Sequence, residues 1–70
     1  MSSDAVHGLS TRELRVLQLA ANGHTSAQIA EELSVSPSAV RGDLDSVYAK
    51  LDVPDRARAV AHALQAGLIR

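Results

Sequence analysis

The chain has 70 residues, seven Lys or Arg against eight Asp or Glu, and a net charge of −1. A sequence of that size makes one small domain with a modest core, and below roughly 80 residues such folds depend on well-packed helices or on a partner. The absence of cysteine excludes a disulfide framework, a thiolate metal site and a cysteine nucleophile; no apolar run is long enough for a membrane span and none has the flanks of a signal peptide, so a cytoplasmic protein with no membrane partner is expected.

Residues 1–8 are polar and read as a flexible N-terminal segment, with His7 solvated, ahead of a domain over 9–70. Ser10 followed three residues later by Glu13 is a capping box, and Leu9 before the cap can staple onto Leu14. A helix is predicted from Thr11 to about Ala21. Its core face would hold Leu14, Leu17 and Ala21, widened by Val16 and Ala20, and Asn22-Gly23 would end it. His24 follows in what reads as an exposed loop; a single histidine without neighbours makes no metal site.

Thr25 with Gln28 is a second capping box, so another helix begins near Ser26 and carries Ile29, Ala30 and Leu33. Leu33-Ser34-Val35-Ser36 interrupts it, Ser36 can cap the next helix, and Pro37 sits at a first helical position where its missing N–H costs nothing. From there Val40, Leu44, Val47 and Leu51 recur at i, i+4, i+7 and i+11, one apolar stripe on a helix of about four turns. Asp52-Val53-Pro54-Asp55 breaks the chain, with Val53 expected to plug the core and Asp55 to cap a last helix from Arg56 to Ala66, closed by Gly67. Val60, Ala63 and Leu64 are expected to face the core, and Leu68 and Ile69 to return to it. Ala57, Ala61 and Gln65 lie on an outer strip small enough for a second helix to approach closely; it is a candidate dimer surface or a plain exposed face. The architecture is all-α, four helices, with Tyr48 as the only aromatic residue.

Two helices joined by so short a turn have the geometry of a DNA-binding helix-turn-helix, whose second helix enters the major groove, but also that of an ordinary hairpin in a small bundle. A sequence pI of about 6.2 counts against nucleic acid, although phosphate binding depends on where cations sit rather than on their sum. An enzyme is disfavoured: His7, His24 and His62 are scattered, no Ser or Asp is spaced for a triad, and the chain is too small to enclose a polar pocket of usual size. No cofactor, metal or small-molecule ligand is expected.

Taken together, Leu9-Ser10-x-Arg12-Glu13, Gly23-x-Thr25-x-x-x-Ile29-Ala30-x-x-Leu33-x-Val35-Ser36, Ala39-Val40-Arg41, Lys50-Leu51-x-Val53-x-x-Arg56-x-x-Ala59-Val60 and Gly67-Leu68-Ile69 resemble the LuxR-type (GerE-like) helix-turn-helix domain over nearly the whole chain. The resemblance implies a four-helix DNA-binding domain of a bacterial transcription regulator that pairs as a homodimer through its last helix, with double-stranded DNA as partner. Its base-contacting positions correspond to Ser38, Arg41, Gly42 and Asp45. Its phosphate-contacting positions correspond to Ser26 and Ala27, to Ser36 and Ala39, and to Lys50. This chain departs from the pattern at Ala27, where many members have Lys, at Ala39, where many have Thr, and at Asp43 and Asp45. Arg41 and Lys50 against Asp43 and Asp45 leave the third helix with no net charge. Either Asp43 pairs with Lys50 or a neighbouring Arg and Asp45 is merely solvated, or the acids mark a domain that reads a cytosine-containing site or a protein-interaction module with weak or no DNA binding.

Overall fold

Each helix starts on a side chain that satisfies amides the helix cannot satisfy itself. The computed structural model describes residues 8–70; the flexible segment expected over 1–8, with His7, lies outside the described residues except for Gly8. Helix α1 spans Thr11–Ala21 behind a complete Ser10/Glu13 capping box, and α2 spans Ser26–Leu33 behind the equivalent Thr25/Gln28 box. Ser36 accepts the Ala39 N–H at 3.1 Å to open α3, Pro37–Leu51. Asp55 accepts the Arg58 N–H at 2.9 Å to open α4, Arg56–Gln65. The predicted end of α4 at Ala66 is its C-cap.

The turns that separate the helices are sharp because two residues accept left-handed backbone without being glycine. Ser34 (φ 58°) ends α2 and Asp52 (φ 56°) ends α3; both are short polar residues of the kind that tolerate this region. Ser34 therefore sets the tight α2–α3 turn that the sequence predicts over 33–36.

The helices pack over two apolar clusters. One joins Leu9, Leu17, Val47, Leu51, Ala59, Ala63 and Ile69, binding α1, the C-terminal half of α3, α4 and the chain end. The other joins Val16, Ala20, Ile29, Ala30, Val40 and Leu44, binding α1, α2 and the N-terminal half of α3. Tyr48 and Val60 lie half-buried against both. So α1 and α3 are the common walls, and the fold is all-α with four helices.

Several expected orientations shift. The core face of α1 is centred on Glu13, Val16, Leu17 and Ala20 rather than on Leu14 and Ala21, which are only partly buried. Leu64 does not enter the core: it is 48% exposed, and Ala59 takes the buried place on α4. His24 is half-buried instead of exposed, with a shielded Nδ1 that has no hydrogen-bond partner. The cause is Arg56, whose Nη2 donates to the Ala20 and His24 carbonyls and draws the α1–α2 turn onto the start of α4. At the other end Gln18 exchanges two hydrogen bonds with the Arg70 backbone, at 2.8 and 2.9 Å, and holds the chain terminus on α1. No helix among the described residues is long and apolar enough to cross a membrane.

Candidate nucleic-acid interface

Burial of Val40, Leu44, Val47 and Leu51 fixes the rotation of α3 and thereby sorts its polar residues. Ser38, Gly42 and Ala49 project from the side opposite that stripe, with Arg41 and Asp45 beside them, and all five are exposed. Arg41 and Asp45 make no hydrogen bond or ion pair with the described residues. The four base-contacting candidates Ser38, Arg41, Gly42 and Asp45 thus share one outward surface. Gly42 is informative for another reason: a Cβ there would meet nothing within 4 Å, yet glycine inside a helix costs about 1 kcal/mol relative to alanine. Nothing in the domain's own packing asks for it.

The adjacent flank of α3, made by Ala39, Asp43, Ser46 and Lys50, turns toward the first turn of α1. Arg12 Nε donates to Asp43 Oδ2 at 2.7 Å. Lys50 Nζ donates to Glu13 Oε1 at 2.8 Å, and the same oxygen accepts the Ser10 N–H at 2.8 Å. Burial alone would raise the pKa of Glu13, but Lys50, the Ser10 amide and Ser46 outweigh it and lower the value from 4.5 to about 2. The carboxylate is therefore ionised and 6% exposed, with Oε1 accepting from both Ser10 and Lys50. On the opposite flank, burial raises the pKa of Tyr48, with Arg56 opposing and Asp45 and Asp55 adding to the shift.

These pairs change the charge balance of the third helix. Asp43 is neutralised by a neighbouring arginine, as one branch of the sequence reading has it, and Lys50 is occupied by Glu13. What remains for an outside partner is Arg41 against Asp45.

The phosphate-contacting candidates are less uniform. Ser26 is half-buried and Ala27 exposed at the start of α2. Ser36 and the Ala39 amide are already bonded to each other as the α3 cap, and Lys50 keeps a side chain 40% exposed while bound to Glu13. On α4, Ala57, Ala61 and Gln65 are all exposed, and the outward Leu64 adjoins them. The sequence pattern gives Glu13 only a capping role and gives none to Arg12 or Arg56. Their partners lie 31 to 37 positions away, beyond the reach of any local spacing rule. No group of histidine, cysteine or acidic residues suited to a metal occurs among the described residues.

The profile described as "Bacterial regulatory proteins, luxR family" matches residues 7–63. The chain is 46% identical over 61 residues to a probable transcriptional regulatory protein NarL of Mycobacterium tuberculosis, covering 87% of this chain and 28% of that protein. It is 40% identical over 55 residues to the transcriptional regulatory protein LiaR of Bacillus subtilis, covering 79% of this chain and 26% of the relative. The chain therefore spans less than a third of the length of these curated relatives. Among solved structures, the transcription factor GerE superposes with a TM-score of 0.85 at 27% identity, over 89% of this chain and 92% of that one. The response regulator ChrA superposes with the same TM-score at 37% identity, over 89% of this chain and 31% of its own.

Proposed function

Because the chain belongs to the luxR family of bacterial regulatory proteins, a non-enzymatic family of helix-turn-helix DNA-binding domains, we propose that it reads a specific DNA sequence with α3 in the major groove and does so as a homodimer paired through α4. The observation that carries this reading is the division of labour on α3. Its inner stripe and one flank are consumed by the domain, while Ser38, Arg41, Gly42 and Asp45 are exposed together on the outward surface.

Arg41 has the planar fork that pairs with guanine O6 and N7, Asp45 can accept from cytosine N4, and Gly42 lets the helix backbone approach the bases. Ser26 and Ala27 at the start of α2 offer backbone amides to a phosphate, and Lys50 serves another phosphate to the extent that it can leave Glu13. Ala39 contributes through its position beside the groove rather than through its amide, which Ser36 occupies. Ala57, Ala61 and Gln65 form the strip on which the partner helix packs, with Leu64 supplying the apolar area that three small or polar residues lack. Two such domains would engage half-sites about one helical turn apart. The protein works in the cytoplasm, where its DNA is.

One observation favours a second reading, a helix-turn-helix kept as a protein-interaction module: Asp45 puts an acid without a salt-bridge partner on the outward surface, where phosphates would repel it. The test is a fluorescence-anisotropy titration against a random duplex pool at two low salt concentrations, with selection of bound sequences and the oligomeric state followed in parallel. Salt-sensitive binding that enriches a palindrome is expected; a folded protein that binds no DNA would sink the proposal. Asp45→Asn separates the readings further, because a loss of affinity for a selected site means that Asp45 contacts a base, a gain means a groove face that is muted but intact, and no change favours the protein module.

A further inference from the structure

Arg12 is one of the cations that neither the capping pattern nor the family pattern of DNA contacts employs. It stands in the first turn of α1 with a side chain 47% exposed, and spends only its Nε on Asp43, at 2.7 Å. Its two Nη groups make no hydrogen bond to the described residues. An arginine held at Nε by one carboxylate oxygen is fixed in orientation while the Nη edge of its planar fork stays open, and that edge matches a phosphate.

Its place matters as much as its donors. Asp43 follows Gly42 directly, and Ala39, Asp43, Ser46 and Lys50 line one flank of α3 beside the outward surface. Ala39 and Lys50 are the two phosphate-contacting candidates of α3; the Ala39 amide is spent on Ser36, and Lys50 Nζ gives one of its three donors to Glu13. The two Nη groups of Arg12 add open donors to this flank. We infer that Arg12 is a DNA phosphate-contacting residue supplied by α1 and oriented by Asp43. The acid next to the groove is then an anchor for a cation and not a source of repulsion. This inference rests on the DNA-binding reading above.

The experiment is a double-mutant cycle on the whole chain: wild type, Arg12→Ala, Asp43→Asn and the double variant, each titrated into a random-sequence duplex over a range of NaCl, with helix content checked by circular dichroism. Every phosphate that a protein neutralises on B-DNA adds about 0.9 to the steepness of log Kobs against log[salt], so Arg12→Ala should reduce the slope by about that amount and weaken binding equally on all sequences. The affinity drop caused by Arg12→Ala should be larger with Asp43 present than with Asn at that position, because an unanchored arginine has more freedom to lose. Arg12→Lys, which keeps the charge but not the fork, should restore part of the affinity. An unchanged slope in folded Arg12→Ala would overturn the inference and leave the DNA reading standing. A larger drop in the Asp43→Asn background would also overturn it, since Asp43 would then be masking Arg12. Failure of folded wild type to bind at the lowest salt would bring down both.

Discussion

The two solvent-side surfaces of α3 carry similar residues and have opposite fates. On the flank facing α1, Asp43 and Lys50 are tied to Arg12 and Glu13 at 2.7 and 2.8 Å. On the outward surface, Arg41 and Asp45 are exposed and make no hydrogen bond or ion pair with the described residues. A charge count along the helix treats these four residues alike and returns zero. Three-dimensional pairing removes one acid and one base internally, so it is the position of the residues around the helix axis, not their sum, that separates residues holding the fold from residues offered to a partner.

Perturbing the inner flank should cost stability first. Glu13→Gln is expected to destabilise the fold by about 3 kcal/mol, the size of a shift from 4.5 to about 2 at about 1.4 kcal/mol per pH unit, measured as a lower urea midpoint at pH 7. The same carboxylate predicts a pH dependence. Because its folded pKa lies below the unfolded value, its contribution is complete above about pH 4.5 and is lost as the pH falls toward 2. The stability lost between pH 7 and pH 3 in urea titrations should be smaller in Glu13→Gln than in the wild type; an equal acid loss in both proteins would show that Glu13 is not the group responsible.

Perturbing the charges of the outward surface should leave stability alone and change binding. Arg41→Ala is expected to cost roughly 1–3 kcal/mol in affinity for a selected site and to relax sequence choice, the scale of one bidentate pairing with a base. Retention of full specificity would mean that another face of the domain meets the bases. Ser36→Ala sits at the boundary between the two surfaces and should lower stability by about 1 kcal/mol through removal of the α3 cap. Its effect on binding should be larger than that of any other cap removed, because it loosens the end of α3 that carries Ser38 and Arg41.

Gly42→Ala gives the smallest change and the sharpest contrast. With open space around the new methyl group, it should stabilise the helix by about 0.5–1 kcal/mol and yet weaken specific binding, because that methyl would stand between the helix and the groove. Gains in both quantities would mean that Gly42 is not at the closest approach.

How much of this was legible in the sequence follows from the range of each interaction. All four helix starts were readable, since Ser10, Thr25, Ser36 and Asp55 act on amides three residues away. The apolar stripe of α3 was readable from its period, and with it the outward position of the candidate base-contacting residues. The orientation of α4 differs from the expected one at Leu64, because alanines at 57, 59, 61 and 63 leave almost no hydrophobic contrast around that helix, and packing in the cluster with Leu17 and Val47 buries Ala59 and Ala63.

By itself, then, the sequence determined the elements, their ends, the all-α class and the rotation of α3, because those depend on hydrogen bonds and periodicities within a few residues. Only the tertiary structure decided which charges remain available. The Arg12–Asp43 and Glu13–Lys50 pairs and the Arg56 link to the α1–α2 turn join residues more than thirty positions apart, and an electrostatic partner at that separation exists only once the helices are packed.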